Sequence, residues 1–251
     1  MDYAIGYNVG KKRTLNEDFF GVYKANNLEA YVVADGMGGH NAGNIASKIA
    51  VRVALEIMED WEVRRSNPGS QQTKELISKM IRDVNMGVFT YSVVNPTCSG
   101  MGTTFIAVIH IGRKVFAAWV GDSRIYGIKG TSLEQISKDD SYVQMLVDLG
   151  RITPEEARLH PKKNVITRAI GTESSITSTV MEITEDYDGY LLCSDGLTNM
   201  LTDEKIEDKL RQGGFENEEF NLKVICDALV KDANKNGGLD NISLILVRGK
   251  K

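Results

Sequence analysis

TTFIAVIHI-GR-KVFAAWV, the stretch from Thr103 to Val120, sets two apolar, β-branched runs on either side of Gly112-Arg113. Such runs are strand signals, and a two-residue break containing glycine is a hairpin signal. Thr103–Ile111 and Lys114–Val120 are therefore read as antiparallel neighbours, so at least part of the sheet structure is antiparallel. The same signature recurs at Ala30–Ala34, Tyr190–Cys193 and Ile242–Val247, each short and bounded by Gly, Asp or Asn.

Between these runs lie helical periodicities. Ile45, Ile49, Val53 and Ile57 recur every four residues with Ala46, Ala50 and Ala54 alongside, and a second stripe runs through Leu76, Ile77, Met80, Ile81, Val84 and Val88. The loop Ser66-Asn67-Pro68-Gly69-Ser70 joins the two as an antiparallel helix pair. A third helix turns Leu222, Ile225, Cys226, Leu229 and Ala233 towards the core. Thr153-Pro154-Glu155-Glu156 orders an N-cap, a first-turn proline and a capping-box Glu, predicting a short helix that ends before Pro161. Helices flank the strands without strict βαβ alternation, which favours an α+β layered fold over a doubly wound parallel sheet. No long linker, low-complexity segment or repeat breaks the 251 residues, so one domain, 1–251, is expected, with a helical insertion at about 139–170.

Composition narrows the function classes. Apolar residues make up 42% and charged residues 25%, too apolar for a disordered chain. The formal charge of −4, with only the short Lys11-Lys12-Arg13 cluster of bases, gives no nucleic-acid or anionic-membrane surface. Cys98, Cys193 and Cys226 are odd in number and form no CxxC pair, and so read as buried thiols in a reducing compartment. The N-terminus has no signal-peptide h-region, and no apolar run reaches the ~18 residues of a spanning helix. A cytoplasmic location is expected.

Five acidic sites share one setting, an Asp at a strand end or beside glycine: Asp18 after Asn16-Glu17, Asp35 before Gly36, Asp122 after Gly121, Asp195 before Gly196, and Asp240 after Gly238-Leu239. Each strand end can present its carboxylate to one sheet edge. Asp-Gly after a strand is also common turn chemistry, so no single instance decides the matter. As a set, oxygen-only ligands suit hard cations such as magnesium or manganese, and glycine lets a backbone carbonyl approach an ion. Zinc fits poorly, because none of the three His residues pairs with Cys at ligand spacing.

Seven segments resemble one family. They are Arg13 to Asp18 (RTLNED), Val32 to Ser47 (VVADGMGGHNAGNIAS), Gly100 to Thr104 (GMGTT), Gly121 to Tyr126 (GDSRIY), His160 to Gly171 (HPKKNVITRAIG), Cys193 to Met200 (CSDGLTNM) and Gly237 to Ser243 (GGLDNIS). In this order, over nearly the whole chain, they are similar to the metal-dependent protein phosphatases of type 2C, in particular the compact bacterial members. The resemblance implies a central sandwich of two antiparallel β-sheets flanked by α-helices, a four-layer α-β-β-α arrangement with ions in a cleft at one end. It implies two divalent ions, Mn2+ or Mg2+, with Asp35 bridging them, the Gly36 carbonyl supporting one, and Asp195 and Asp240 completing the second. Glu17 or Asp18 would contribute directly or through water, and a weaker third ion would use Asp122 and Asp195. The implied reaction is hydrolysis of phosphoserine and phosphothreonine in proteins by direct attack of an ion-bridging water. Two ions about 3.5–4 Å apart can acidify such a water and clamp the phosphoryl oxygens. Arg13 matches the family's phosphate-binding arginine, whose planar fork pairs with two oxygens. Phosphorylated proteins, a Ser/Thr kinase among them, are the implied partners of a monomeric enzyme.

Two departures from the family bear on mechanism. Animal members place His after the bridging Asp-Gly; here stands Met37, which cannot transfer protons, leaving His40 as a candidate donor beside its alternative as a polar residue opening a helix. Bacterial relatives often read Asp-His-Ser where this chain reads Asp139-Asp140-Ser141, predicting added negative charge near the phosphoprotein. His110, inside an apolar run, reads as structural, and His160 as a packing or flap residue. Rival chemistries lack their signatures. No Cys is followed by Arg six positions later, no GDxHG or phosphate-loop motif occurs, and Asp186-Tyr187-Asp188-Gly189 precedes its strand as a turn rather than as an aspartyl nucleophile. A non-catalytic module would not need Asp35, Asp195, Asp240 and Arg13 together, and a calcium scaffold lacks an EF-type loop.

Overall fold

The computed structural model describes residues 1–25, 27–38, 42–64, 69–217, 219 and 221–249. In chain order the strands are β1 (Asp2–Asn8), β2 (Phe19–Lys24), β3 (Leu28–Ala34), β4 (Gly36–Met37), β5 (Gly102–Thr103), β6 (Phe105–Ile111), β7 (Lys114–Val120), β8 (Arg124–Lys129), β9 (Ser132–Gln135), β10 (Thr179–Ile183), β11 (Gly189–Cys193) and β12 (Ile242–Arg248). The helices are α1 (Gly43–Arg64), α2 (Ser70–Val94), α3 (Tyr142–Asp148), α4 (Pro154–Leu159), α5 (Asp195–Thr198), α6 (Asp203–Gln212) and α7 (Leu222–Lys235). Two five-stranded sheets, ordered β1-β12-β11-β8-β9 and β10-β7-β6-β3-β2, are antiparallel throughout, and β4 pairs with β5 apart from them.

Alternation along the central strands builds the layers. In β3, Ala30, Val32 and Ala34 face α1 and α2, while Tyr31 and Val33 face the opposite sheet. In β12, Ile242, Leu244 and Leu246 face α5, α6 and α7, while Ile245 and Val247 meet the sheet that contains β3, β6 and β7. Both faces of each central strand are thus dry, which is why these segments read as continuous apolar runs. The result is the expected α-β-β-α sandwich.

The helix stripes also hold, with one refinement. Ala46, Ala50 and Ala54 are fully buried on α1, whereas Ile45, Ile49, Val53 and Ile57 are half-buried flanks. Small residues let that helix lie close to the sheet. All five apolar positions named for α7 are buried, and the capping box at Thr153 is formed, its side chain accepting from Glu156 N–H while Glu156 accepts from Thr153 N–H. Of the loop between α1 and α2, 66–68 lie outside the described residues.

The long run Thr103–Ile111 is broken at Thr104. Thr103 pairs with Gly36 and bridges to Ile170, while Thr104 leaves the ladder to exchange hydrogen bonds with the Asp35 backbone. Ile111 pairs with Lys114, leaving Gly112-Arg113 as the two-residue hairpin turn. The three cysteines are buried and free. Among the described residues no helix is long and apolar enough to cross a membrane.

Candidate active site

Register alone brings the acidic residues to one end of the sandwich. Phe19 pairs with Ala34, Phe105 with Val120, and Cys193 with both Leu244 and Arg124. In an antiparallel sheet the end of one strand lies beside the start of the next. Asp18 precedes β2, Asp35 follows β3, Asp122 links β7 to β8, Asp195 follows β11 and Asp240 precedes β12, so all five share that end.

Their electrostatics show mutual proximity. Burial first, then the charges of Asp18, Asp195, Asp122 and Asp240, push the Asp35 carboxyl well above its ordinary range. Asp122 is pushed up to about 8 by burial and then by Asp195 and Asp139. Asp195 rises to about 6 through burial and Asp240, and lies within hydrogen-bonding reach of Asp35. Asp18 rises to about 7, mainly by burial. Such an arrangement is costly without a compensating cation.

Arg13 borders the cluster, its Nη2 donating to Asp240 Oδ2 at 2.8 Å. That hydrogen bond leads the causes that raise the Arg13 pKa, with Glu17 and Asp35 adding their charge. Glu17 Oε1 accepts the Gly43 N–H at 3.1 Å, and burial raises its pKa. Gly36 is packed so closely that an added Cβ would stand 2.1 Å from the Gly43 carbonyl oxygen, so no larger residue fits there. His40 lies outside the described residues.

Whether these residues fit divalent ions can be judged from the donors themselves. They are oxygens only, the choice of hard cations. Asp18 Oδ1 is buried without a hydrogen-bond partner, and the charges of Asp195 and Asp240 bear on the same carboxyl. Among the described residues no three such side chains are closed around one point as a finished ligand set would be. Three of the carboxylates meet donors of the chain itself: Asp240 accepts from Arg13, Asp18 from the Ser194 hydroxyl and Asp195 from the Asn199 amide. The residues fit the ions.

Several holding residues are not distinguished by the sequence. Thr104 Oγ1 accepts the Asp35 N–H at 2.9 Å and lies 2.7 Å from Ser123 Oγ, tying the Asp35 and Asp122 loops together. Asn241 accepts the Glu17 N–H and donates to the Val9 and Leu15 carbonyls. Ser194 donates to Asp18 and accepts from the Ser243 N–H. All lie inside the seven family-like segments, but nothing in the sequence names their partners.

Asp140 corrects an expectation. Its carboxylate adds no exposed negative charge; it is buried, pairs with Arg168, and accepts the Gly121 N–H. His110 is buried in β6 between the rings of Tyr31 and Tyr190, as expected of a structural histidine. His160 closes α4, with Nδ1 accepting the Lys162 N–H. Segment 139–170 carries α3 and α4, which face Asp122 and Asp195 across a cleft of about 320 Å³.

The double antiparallel sandwich and the sequence that builds it have counterparts in known proteins. The family model for protein phosphatase 2C matches residues 5–220. The serine/threonine phosphatase stp of Listeria welshimeri is 37% identical over 240 residues, 95% of this chain and 92% of that one. The crystal structure of the serine/threonine phosphatase Stp1 from Staphylococcus aureus superposes with a TM-score of 0.89 at 33% identity, covering 100% of this chain and 95% of the other. The catalytic domain of the serine threonine protein phosphatase PstP, solved in complex with two manganese ions, superposes with a TM-score of 0.78 at 34% identity over 98% and 97% of the two chains. Fold and sequence agree over almost the whole length: the chain belongs to the protein phosphatase 2C family.

Proposed function

We propose that this chain hydrolyses phosphoserine and phosphothreonine in proteins, holding divalent cations with Asp35, the Gly36 carbonyl, Asp195 and Asp240, supported by Glu17 and Asp18. A third, weaker ion would use Asp122 and Asp195. The observation that carries this reading is the gathering of Asp18, Asp35, Asp122, Asp195 and Asp240 at one end of the sandwich, where the charges of the other four raise the Asp35 pKa. Two manganese ions in the related PstP domain support it.

Bound there, such ions supply positive charge that clamps phosphoryl oxygens and makes water a better nucleophile. The chain's own groups do the rest. Arg13 keeps guanidinium N–H groups beyond its bond to Asp240, and their planar fork receives phosphate beside the carboxylates. Thr104 and Asn241 fix the backbone of Asp35 and Glu17, so the donors do not drift as charge develops. His40 is proposed to donate a proton to the departing serine oxygen, since Met37 has none to give. The 139–170 segment acts as a flap over the cleft, within one catalytic domain.

Phosphoproteins are the proposed substrates, a Ser/Thr kinase among them, and the likeness to the serine/threonine phosphatase stp supports the phosphoprotein class. Monomeric action in the cytoplasm, without nucleic acid or membrane insertion, belongs to the same reading. The test is release of phosphate from a phosphoserine peptide in manganese and in EDTA. Turnover in excess chelator overturns the metal reading; no release in manganese, with the fold intact, overturns the substrate reading.

A further inference from the structure

We propose that Asp140 is a positioning residue for Asp122, coupling the seating of the 139–170 segment to the weakest ion site. The proposal rests on the reading of Asp122 as an ion ligand. Asp140 is 7% exposed and clamps Gly121, the residue just before Asp122, from both sides. Its Oδ2 accepts the Gly121 N–H at 3.0 Å, and its own N–H donates to the Gly121 carbonyl at 2.9 Å. Gly121 has φ +103°, and an added Cβ would lie 2.7 Å from Thr104, so the backbone here is fixed in a form other residues resist.

The far side of Asp122 is held by the neighbouring aspartate. Arg124 donates from Nε and Nη2 to the two oxygens of Asp139 at 3.0 and 2.8 Å. Consecutive aspartates at the root of the segment thus hold both flanks of Asp122. The segment returns to the same point: Arg168 pairs with Asp140, the Thr167 N–H donates to the Asp140 carbonyl at 2.7 Å, and Ser141 bridges to Ile166. Its outgoing and returning ends therefore close on Asp140, and movement of either end is passed to Gly121 and on to Asp122. An ionised acceptor makes each bond stronger than a neutral one would. Groups that orient a ligand from behind it affect metal affinity as ligands do.

The experiment compares wild type, Asp140→Ala, Asp140→Asn, Arg168→Met and Asp122→Asn by calorimetric titration with manganese, and follows Gly121 amide exchange in the ion-free protein. Asp140→Ala should weaken the weakest binding event about tenfold or more while leaving the tighter ones, and Asp140→Asn, which keeps an acceptor for Gly121 but loses the charge paired with Arg168, should weaken it less than Asp140→Ala does. Gly121 exchange should accelerate in Asp140→Ala and stay slow in Asp140→Asn, a contrast that general loss of stability does not produce. Asp122→Asn should abolish the same binding event. Should Asp140→Ala not fold, Arg168→Met is decisive, and it should weaken that event while retaining Asp140. The proposal is overturned if Asp122→Asn abolishes the event but Asp140→Ala and Arg168→Met leave it unchanged. If Asp122→Asn itself changes no binding event, the placement of an ion at Asp122 is wrong, and the coupling falls with it.

Discussion

Replacing Asp195 by Asn in the ion-free protein should separate what the site costs the fold from what it contributes to chemistry. Burial first and the Asp240 charge second raise the Asp195 pKa from 3.8 to about 6. The folded protein therefore holds this proton more tightly than the unfolded chain does. Below pH ~4 both states are protonated and the site costs nothing; between ~4 and ~6 the unfolded chain ionises first and stability falls; above ~6 the loss is complete. The shift corresponds to about 3 kcal/mol, and because Asp195 is only half-buried, solvent screening brings this to about 2 kcal/mol. Asn keeps the shape and an acceptor for Asn199 but carries no charge.

The assay is thermal unfolding in EDTA from pH 4 to pH 8. At pH 8 the variant should melt ~5 °C above wild type, as ~2 kcal/mol implies for a chain of this size, and the gap should close near pH 4. Saturating manganese should invert the order, since a ligand at 100 times its Kd adds about 2.7 kcal/mol only to the form that binds it. Phosphatase activity should be nearly lost throughout. A gain of equal size at pH 4, or none at pH 8, refutes the claim that like charge strains the ion-free site.

Arg13→Lys should lower kcat/KM for a phosphoserine peptide by about threefold or more despite the retained charge, because the planar fork is lost; unchanged steady-state kinetics would return Arg13 to a surface role. His110→Phe should flatten the acid limb of stability: burial lowers the His110 pKa to about 4, so the unfolded chain takes up the proton first and wild type loses stability as pH falls from ~6.5 towards 4. Denaturant titrations at pH 7 and pH 5 measure the difference, and equal slopes in the two proteins would contradict it. Thr104→Val removes the acceptor of the Asp35 N–H and the partner of Ser123; it should cost roughly 1–3 kcal/mol in denaturant midpoint experiments and lower kcat as well, whereas a neutral result would show both groups to be satisfied by water.

The strands legible in the sequence are, with one exception, the interior ones. β3, β6, β7, β11 and β12 are dry on both faces, and so appear as unbroken apolar runs. The sheet edges β1, β2, β9 and β10 carry no such signal, because half-exposed strands such as Asp2–Asn8 and Ser132–Gln135 mix polar and apolar residues without a clean period. The exception is β8, an interior strand interrupted by Gly127. The glycine breaks the apolar pattern because the Tyr187 ring lies where its side chain would be, with an added Cβ only 2.4 Å from it. That reason exists only in three dimensions.

For the site, the acidic residues are legible by position, since antiparallel register carries every one of these strand ends to a single edge of the sandwich. The scaffold around them is not. Asp35 is held by Thr104, Glu17 by Asn241, Asp18 by Ser194 and Gly121 by Asp140, pairs in which a hydroxyl, amide or carboxylate finds its partner across a sheet or from the far side of an insertion. A polar residue next to a strand end has the same appearance in sequence whether it faces water or fixes a ligand's backbone. Asp140 is a case of that ambiguity. As an isolated charge it belongs on the surface; placed against Gly121 and Arg168 it becomes a buried acceptor with both oxygens engaged. Burial of that kind is tolerable only because every bond is made, so removing one partner should cost more than the pair itself contributes. Residues that hold a ligand are therefore identified by what they would leave unsatisfied, a property of the folded chain that no spacing of letters encodes.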